Sequence, residues 1–199
     1  MELFFSTFLK MFFIMTPFFV LSVFLTVTGD ASLVEKRALA IKVTTSVIII
    51  SLILVYFGKH IFEIFGITLD AFRIGAGALL FLSAVELIKG NKDTQKVEQK
   101  DISELAVVPL SIPIVIGPGT IGVLLVMGAG FNNSGSMFVG SLALVCAIGV
   151  IGIMLYTSSF IEKFIGKQGL LVISKITGLF LAALSAQIVF TGIKNFLGL

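Results

Sequence analysis

The chain has 199 residues, of which 57% are hydrophobic and 13% charged, with a formal net charge of +3. Its mean hydropathy of +1.14 excludes a soluble domain of this size, and it has no dense basic stretch suited to nucleic acid. Apolar runs of about 18 residues or more recur along its length, which predicts an all-α polytopic membrane protein in contact with the lipid bilayer. The single cysteine, Cys146, excludes an intrachain disulfide and a two-cysteine redox motif.

The hydrophobic pattern predicts six membrane-spanning helices in a single transmembrane domain over residues 1–199. The first predicted span carries one basic residue, Lys10, and no clear small-x-small cleavage site, so we interpret it as a span and not as a signal peptide. Residues 91–104 are polar and are predicted to form a connector without chemistry. The predicted spans are 4–27, 39–58, 68–89, 105–128, 136–158 and 171–193.

Lysine and arginine are unevenly distributed between the two sides of the predicted membrane domain. The side reached by the connection after span two and by the end of span six clearly carries only Lys59 and Lys194. By the positive-inside rule the rich side is cytoplasmic, so the N- and C-termini are predicted to lie outside and the 91–104 connector inside. The rich side follows spans one, three and five and carries Lys36, Arg37, Lys42, Lys89, Lys92, Lys96, Lys100, Lys163 and Lys167.

Residues 105–130 form an uncharged run that is long enough to cross a bilayer but is interrupted near its middle. Irregular backbone at membrane depth is tolerated where it is buried in protein or lines a polar cavity, as in transporter sites built from half-helices. The alternative is a kinked structural helix, because glycine and proline are frequent in membrane spans. The interrupting residues are Pro109, Pro113, Gly117, Pro118 and Gly119.

The sequence repeats when it is shifted by 102 residues. Residues 73–90 then align with residues 175–192, and the two segments share a Leu-Ser-Ala triplet and a final glycine. Spans three and six are therefore predicted to be equivalent, and residues 1–90 and 105–199 to be two three-helix repeats. An odd number of spans in each repeat makes the repeats inverted relative to each other, which is typical of secondary transporters.

The repeat requires span one to be broken where span four is broken. Span one contains Thr16-Pro17 at its middle, and Pro17 is the only proline outside span four. Two proline-interrupted spans in corresponding places indicate a binding site near the bilayer midplane. The register leaves open whether Pro17 corresponds to Pro113 or to Pro118. The predicted substrate-binding residues are Thr16, Pro17, Phe18, Pro113, Gly117, Pro118, Gly119 and Thr120.

Few ionisable side chains lie within the apolar runs. Arg73, Glu86 and Lys175 lie near span ends and Lys10 lies about two turns into span one, so each is predicted to reach the headgroups by snorkelling. Arg73 and Lys175 align in the repeat and are therefore candidates to mark the two mouths. No span carries a carboxylate at its centre, which argues against ion coupling through a buried acid and leaves a proton or sodium as the unknown coupling ion.

An intramembrane enzyme is the rival class, and the side-chain inventory argues against it. His60 is the only histidine and lies at a span end, so no HExxH metal motif is present. No GxSxG motif occurs, and Cys146 has no polar neighbour that acts as a base. We therefore predict no enzymatic activity, no metal and no cofactor.

Several motifs together resemble those of the MarC family of bacterial and archaeal inner-membrane proteins. The resemblance covers essentially the whole chain, and PLxxPxxxGPGTI is its most specific string. It implies six spans, an inverted repeat and a place in the lysine-exporter-like superfamily, in which some relatives transport small neutral amino acids such as glycine and alanine. The family commonly has Asn where this chain has Thr16. The motifs are Thr16-Pro17, GITLDAFRIG (66–75), VPLSIP (108–113), GPGTI (117–121) and ISKITG (173–178).

We therefore expect a secondary transporter of small neutral solutes, in particular small amino acids. A zwitterion suits two broken helices, because half-helix N-termini attract its carboxylate while exposed carbonyls and C-termini accept its ammonium group. The alternative is a non-transporting accessory or scaffolding membrane protein. The sequence leaves open the substrate, the direction of transport and whether the chain forms a homo-oligomer.

Overall fold

The computed structural model describes residues 1–90, 115–131 and 133–198, and within these ranges the regular structure is entirely α-helical. Four helices are long and apolar enough to cross a membrane, and the first two helices form a fifth candidate span with a bend of 41° between them. The protein is therefore a polytopic helical membrane protein. The helices are α1 (Glu2–Ile14), α2 (Pro17–Val27), α3 (Leu33–Phe65), α4 (Leu69–Lys89), α5 (Pro118–Ala129), α6 (Ser134–Tyr156) and α7 (Ser158–Leu197).

The predicted break in span one is confirmed. α1 ends at Ile14, Thr16 has left-handed backbone with φ 47° and ψ 58°, and α2 begins at Pro17. Proline fixes its own φ and has no N–H to donate, so it suits the first position of a new helix, and it disfavours helical backbone in the residue before it. The Thr16-Pro17 pair therefore ends one helix and starts the next.

The second predicted break falls where α5 begins. Gly117 has extended backbone with φ −74° and ψ 171°, and Pro118 occupies the first turn of the helix. Residues 105–114, which include Pro109 and Pro113, lie outside the described residues, as does the 91–104 connector. The structure therefore shows where the second half of predicted span four starts, at the Gly117-Pro118 pair.

Capping residues set the ends of the long helices. Ser32 and Glu35 form a capping box at the start of α3, and Gly66 with φ 62° ends it. α3 has 33 residues, a length of roughly 50 Å, whereas the sequence predicted only 39–58. The hydropathy of the sequence identified the apolar middle of α3 but did not predict that its polar first turns are helical. α4 matches its prediction closely, because Thr68 and Gly90 cap the apolar run itself.

α7 is longer than predicted, because a short helix precedes the membrane span. The sequence predicted 171–193, and the helix begins instead at Ser158. Gly166, with φ 73° and ψ 162°, separates residues 158–165 from the rest of α7. The two aromatic side chains of this short helix, Phe160 and Phe164, are 74% and 85% exposed, while Ile161 and Ile165 pack against the core. The predicted connection between spans five and six is thus partly helical.

α4 and α7 pack antiparallel along their whole shared length. Glycines on both helices allow their backbones to approach closely, which is how membrane helices associate without a hydrophobic driving force. The contacts run from one end to the other in a single register. Gly192 faces Asp70 and Ile74, Gly77 faces Ser185 and Val189, and Gly178 faces Ala84 and Ile88.

α5 packs between α3 and α4 through a second set of glycines. A Cβ on Gly119 would lie 2.8 Å from the Cα of Leu80, and one on Gly128 would overlap the backbone carbonyl of Val55. Gly58 on α3 makes the reciprocal contact with the backbone of Leu125. These contacts hold α5 against α4, from Leu80 onwards, and against the second half of α3.

We expect Gly128→Ala to destabilise the protein by about 1–3 kcal/mol, because the added methyl group overpacks the α3–α5 contact. The measurement is the thermal unfolding of purified protein in detergent. Gly149→Ala is the matched control, since no atom lies within 4 Å of a Cβ there and α6 is helical at that position. That variant should gain about 0.5–1 kcal/mol from helix propensity. Equal stability of the two variants would contradict the packing described.

We expect Thr16→Asn to raise the stability of the protein by about 1 kcal/mol, because asparagine adopts left-handed backbone more readily than a β-branched residue. Thermal unfolding in the same detergent measures the effect. The control is Thr26→Asn, at a helical position of α2 where the hydroxyl of Thr26 donates to the carbonyl of Ser22. The control should be neutral or destabilising. A fall in stability for Thr16→Asn would show that its backbone is unstrained.

Candidate functional site

The two breaks lie on one cavity, which we call the break cavity and which has a volume of about 260 Å³. Thr16 lines it from the first break, and Gly117 to Thr120 line it from the second. Five of the eight predicted site residues therefore come together. Pro17 and Phe18 pack into the core instead, and Pro113 lies outside the described residues.

Each break lies beside the middle of a long neighbouring helix. The start of α5 at Gly119 packs against Leu80, close to the midpoint of α4. On the other side, the ring of Phe13 stacks on that of Phe180 with centroids 5.1 Å apart, and Leu181 lines the break cavity together with Thr16. Residues 180 and 181 are central in predicted span six. The two breaks therefore lie at mid-depth of α4 and α7, and the break cavity extends from there towards Gly90 at the end of α4.

Helix ends supply backbone groups to the break cavity. α2 and α5 both begin at it with a proline, so the N–H groups of Gly119 and Thr120 in the first turn of α5 have no partner within that helix. α1 ends at it, and its last carbonyls carry the opposite partial charge. The cavity therefore offers donors and acceptors from three helix ends in addition to its side chains.

Three serines that were not among the predicted site residues also line the break cavity. The hydroxyl of Ser174 donates to the carbonyl of Leu170 at 2.7 Å, and that of Ser83 donates to the carbonyl of Leu79 at 3.1 Å. Each oxygen keeps lone pairs that accept a hydrogen bond from a solute. The position of Ser83 in the shared Leu-Ser-Ala triplet was the one available signal. The third hydroxyl belongs to Ser22.

One end of the break cavity is charged. Glu86, Gly90 and Lys175 line it there, and no ion pair within 4.0 Å joins the two charged side chains. Lys175, which was predicted from its place in the repeat to mark a mouth, lines this end of the break cavity.

A second cavity, the Lys10 cavity, lies towards the other end of the protein and has a volume of about 480 Å³. Lys10 and Arg73 both line it; Arg73 was predicted to mark a mouth, and its convergence with Lys10 on one cavity was not predicted. Among the residues that the structure describes, Ile14 alone lines both cavities, and this residue is 3% exposed. The end of α1 therefore forms the wall between them.

The charged residues of the described ranges do not form a cluster of three or more metal-binding side chains. Within the same ranges, His60 contacts the ring of Phe57 at the end of α3, away from both cavities. The chemistry of the break cavity therefore comes from hydroxyl groups, helix ends and the two charges at its mouth.

Comparison with known proteins identifies the family. A family model described as "MarC family integral membrane protein" matches residues 1–197. A UPF0056 membrane protein of Methanocaldococcus jannaschii is 30% identical over 201 residues, which cover 98% of each chain. A UPF0056 membrane protein of Aquifex aeolicus is 34% identical, over 98% of this chain and 94% of that one. No solved structure matches. The motifs around the two breaks, the match over nearly the whole length and these relatives agree: the chain belongs to the MarC family of integral membrane proteins.

Proposed function

We propose that the protein is a secondary transporter of small neutral solutes, with glycine and alanine as its expected substrates. One observation carries the proposal: two proline-interrupted segments from different parts of the chain, at Thr16 and at Gly117 to Thr120, line one cavity at mid-depth. Irregular backbone at this depth is the feature from which transporters build a substrate site.

The break cavity suits a small zwitterion. The first turn of α5 presents N–H groups that have no partner within α5 to a carboxylate, and the end of α1 presents carbonyl oxygens to an ammonium group. Its volume of about 260 Å³ is below the range of roughly 300–1,000 Å³ that is typical for drug-sized ligands. Leu80 and Leu181 supply apolar surface for a short side chain.

The arrangement of the two cavities supports alternating access. The break cavity extends towards Glu86 and Lys175 at one end, and the Lys10 cavity lies towards the other end, with Ile14 between them. A movement of the end of α1 would move Ile14 and change which cavity is continuous with the site. The left-handed residue Thr16 follows Ile14 closely in the chain and is a natural place for such a movement.

We further propose that six spans form two inverted repeats, with both termini outside and the protein in the inner membrane. The packing of α4 on α7 supports this. The Cβ of Arg73 lies 3.0 Å from the point where a Cβ on Gly192 would lie, and the Cε of Lys175 lies 3.9 Å from the same point on Gly90. In the 102-residue repeat, Arg73 corresponds to Lys175 and Gly90 corresponds to Gly192. The repeat therefore relates the two contacts to each other, as a two-fold axis through the helix pair requires.

The proposal involves no catalysis, no cofactor and no nucleic acid. Its partners are a small-molecule substrate and the lipid bilayer, and the carboxylate nearest to the site is Glu86 at the mouth of the break cavity. A coupling ion would therefore be held by backbone carbonyls at the helix ends, whose partial negative charge suits Na⁺.

We expect Ser83→Leu to remove transport of labelled glycine or alanine in proteoliposomes, because the leucine fills the break cavity from the face of α4. Gly119 is a less suitable position, since a Cβ there would meet the backbone of Leu80. Thr45→Leu is the matched control, on an exposed face of α3 outside both cavities. Normal uptake by a folded Ser83→Leu protein, with the control also active, would contradict the site.

We expect cysteines in the two cavities to react from opposite sides of the membrane. In a Cys146→Ser background, Ser83→Cys should react with an impermeant thiol reagent only in inside-out vesicles, and Gln187→Cys only in intact cells. The reason is that Ser83 lines the break cavity and Gln187 lines the Lys10 cavity. The measurement is the labelled fraction by mass spectrometry. Labelling of both cysteines from the same side would contradict the orientation of the cavities.

A further inference from the structure

We propose that the Lys10 cavity is a binding site for a small organic anion that carries a carboxylate or phosphate group on a short apolar body. The proposal does not rest on the proposed function, because it concerns a different cavity and is tested by binding alone. The site lies on the far side of Ile14 from the break cavity.

The lining of the Lys10 cavity combines apolar and neutral polar side chains. Its volume of about 480 Å³ is within the range of sites for small molecules. Gln187 and Thr191 on α7, with Asn133 and Ser136 at the start of α6, supply neutral hydrogen-bonding groups. The apolar part of the lining includes Met11, Ile14, Val123, Met127, Leu184 and Ile188. An apolar body fits the apolar part of such a lining while a polar head contacts the polar part.

The charge of the lining selects an anion. Lys10 and Arg73 both line the cavity, and the described residues that line it include no carboxylate. Asp70, outside the lining, forms an ion pair with Nη1 of Arg73 at 2.6 Å, and the amide of Asn195 donates to the same carboxylate oxygen at 3.3 Å. Among the described residues, one negative charge thus offsets two positive charges, which leaves a net charge of +1.

Arg73 is held in place by groups other than a ligand. Asp70 fixes one side of the guanidinium, and Nη2 lies 3.9 Å from the point where a Cβ on Gly130 would lie, at the negatively polarised end of α5. Lys10 has no carboxylate within 4.0 Å in the part of the chain that the structure describes. Lys10 is therefore the cation that remains for a ligand.

The position of Lys10 makes an anionic partner favourable. It lies roughly 12 Å along α1 from the first residue of that helix, in a candidate membrane span. An anion beside its amine is attracted more strongly in a medium of low dielectric constant than it would be in water.

The test is direct binding to the purified protein in detergent, with two probes. The first probe is radiolabelled butyrate in equilibrium dialysis, and the second is phosphatidylglycerol against phosphatidylcholine in native mass spectrometry. Lys10→Gln should weaken binding of the anionic probe by about tenfold, the value of one charge-assisted hydrogen bond. Lys10→Arg should keep the affinity of the original protein, and Lys163→Gln, at the exposed cytoplasmic end, is the matched control.

The outcomes separate the two sources of the anion. Butyrate binding that Lys10→Gln weakens supports a site for a soluble carboxylate, whereas a phosphatidylglycerol adduct that the same variant loses supports a lipid headgroup. Equal binding by Lys10→Gln and the original protein, or binding of neither probe by the original protein, overturns the proposal. Because no flux is measured, the result is independent of whether Ser83→Leu removes transport.

Discussion

A polypeptide in hydrocarbon has no water to complete its hydrogen bonds, and this constraint governs the arrangement of the helices. At Thr16-Pro17 and at Gly117-Pro118 the helical ladder stops at mid-depth, and each stop leaves backbone groups without a partner in that ladder. These groups can be satisfied only by other parts of the protein or by a polar space. Both stops open onto the break cavity, so the two interruptions of the backbone are gathered in one place.

Glycines at the helix contacts keep the helices around the break cavity close together. Gly119 brings the start of α5 against the backbone of Leu80, and Gly77 and Gly178 bring α7 against α4. A side chain at any of these positions would separate the helices and widen the space between the breaks. The same residue type therefore serves the packing of the bundle and the dimensions of the break cavity.

The sequence predicted those parts of the structure that depend on local chemistry. The break at Thr16-Pro17 follows from the geometry of proline, and the ends of α4 follow from Thr68 and Gly90. The convergence of the first break with Gly117 to Thr120 was predicted from the repeat, and the structure brings these residues together.

The rest of the structure depends on which way side chains point and on how the helices pack, and neither can be read from the pattern of residues along the chain. Lys10 reads as a snorkelling residue in the sequence, and only the packing of α1 against α6 and α7 directs it into a cavity with Arg73. Pro17 and Phe18 are next to Thr16 in the chain, but the turn of α2 points them into the core. The polar first turns of α3 were likewise invisible to a measure of hydropathy.

Gly166 has a consequence for the direction of the short helix that precedes it. Nothing lies within 4 Å of a Cβ at this position, so a larger residue would fit, yet its φ of 73° and ψ of 162° belong almost only to glycine. An alanine would favour ordinary helical backbone and straighten the joint, so that residues 158–165 continue the axis of the rest of α7. Phe160 and Phe164, which are 74% and 85% exposed, would then project in a different direction. A single achiral residue thus fixes the direction in which two exposed aromatic side chains leave the protein.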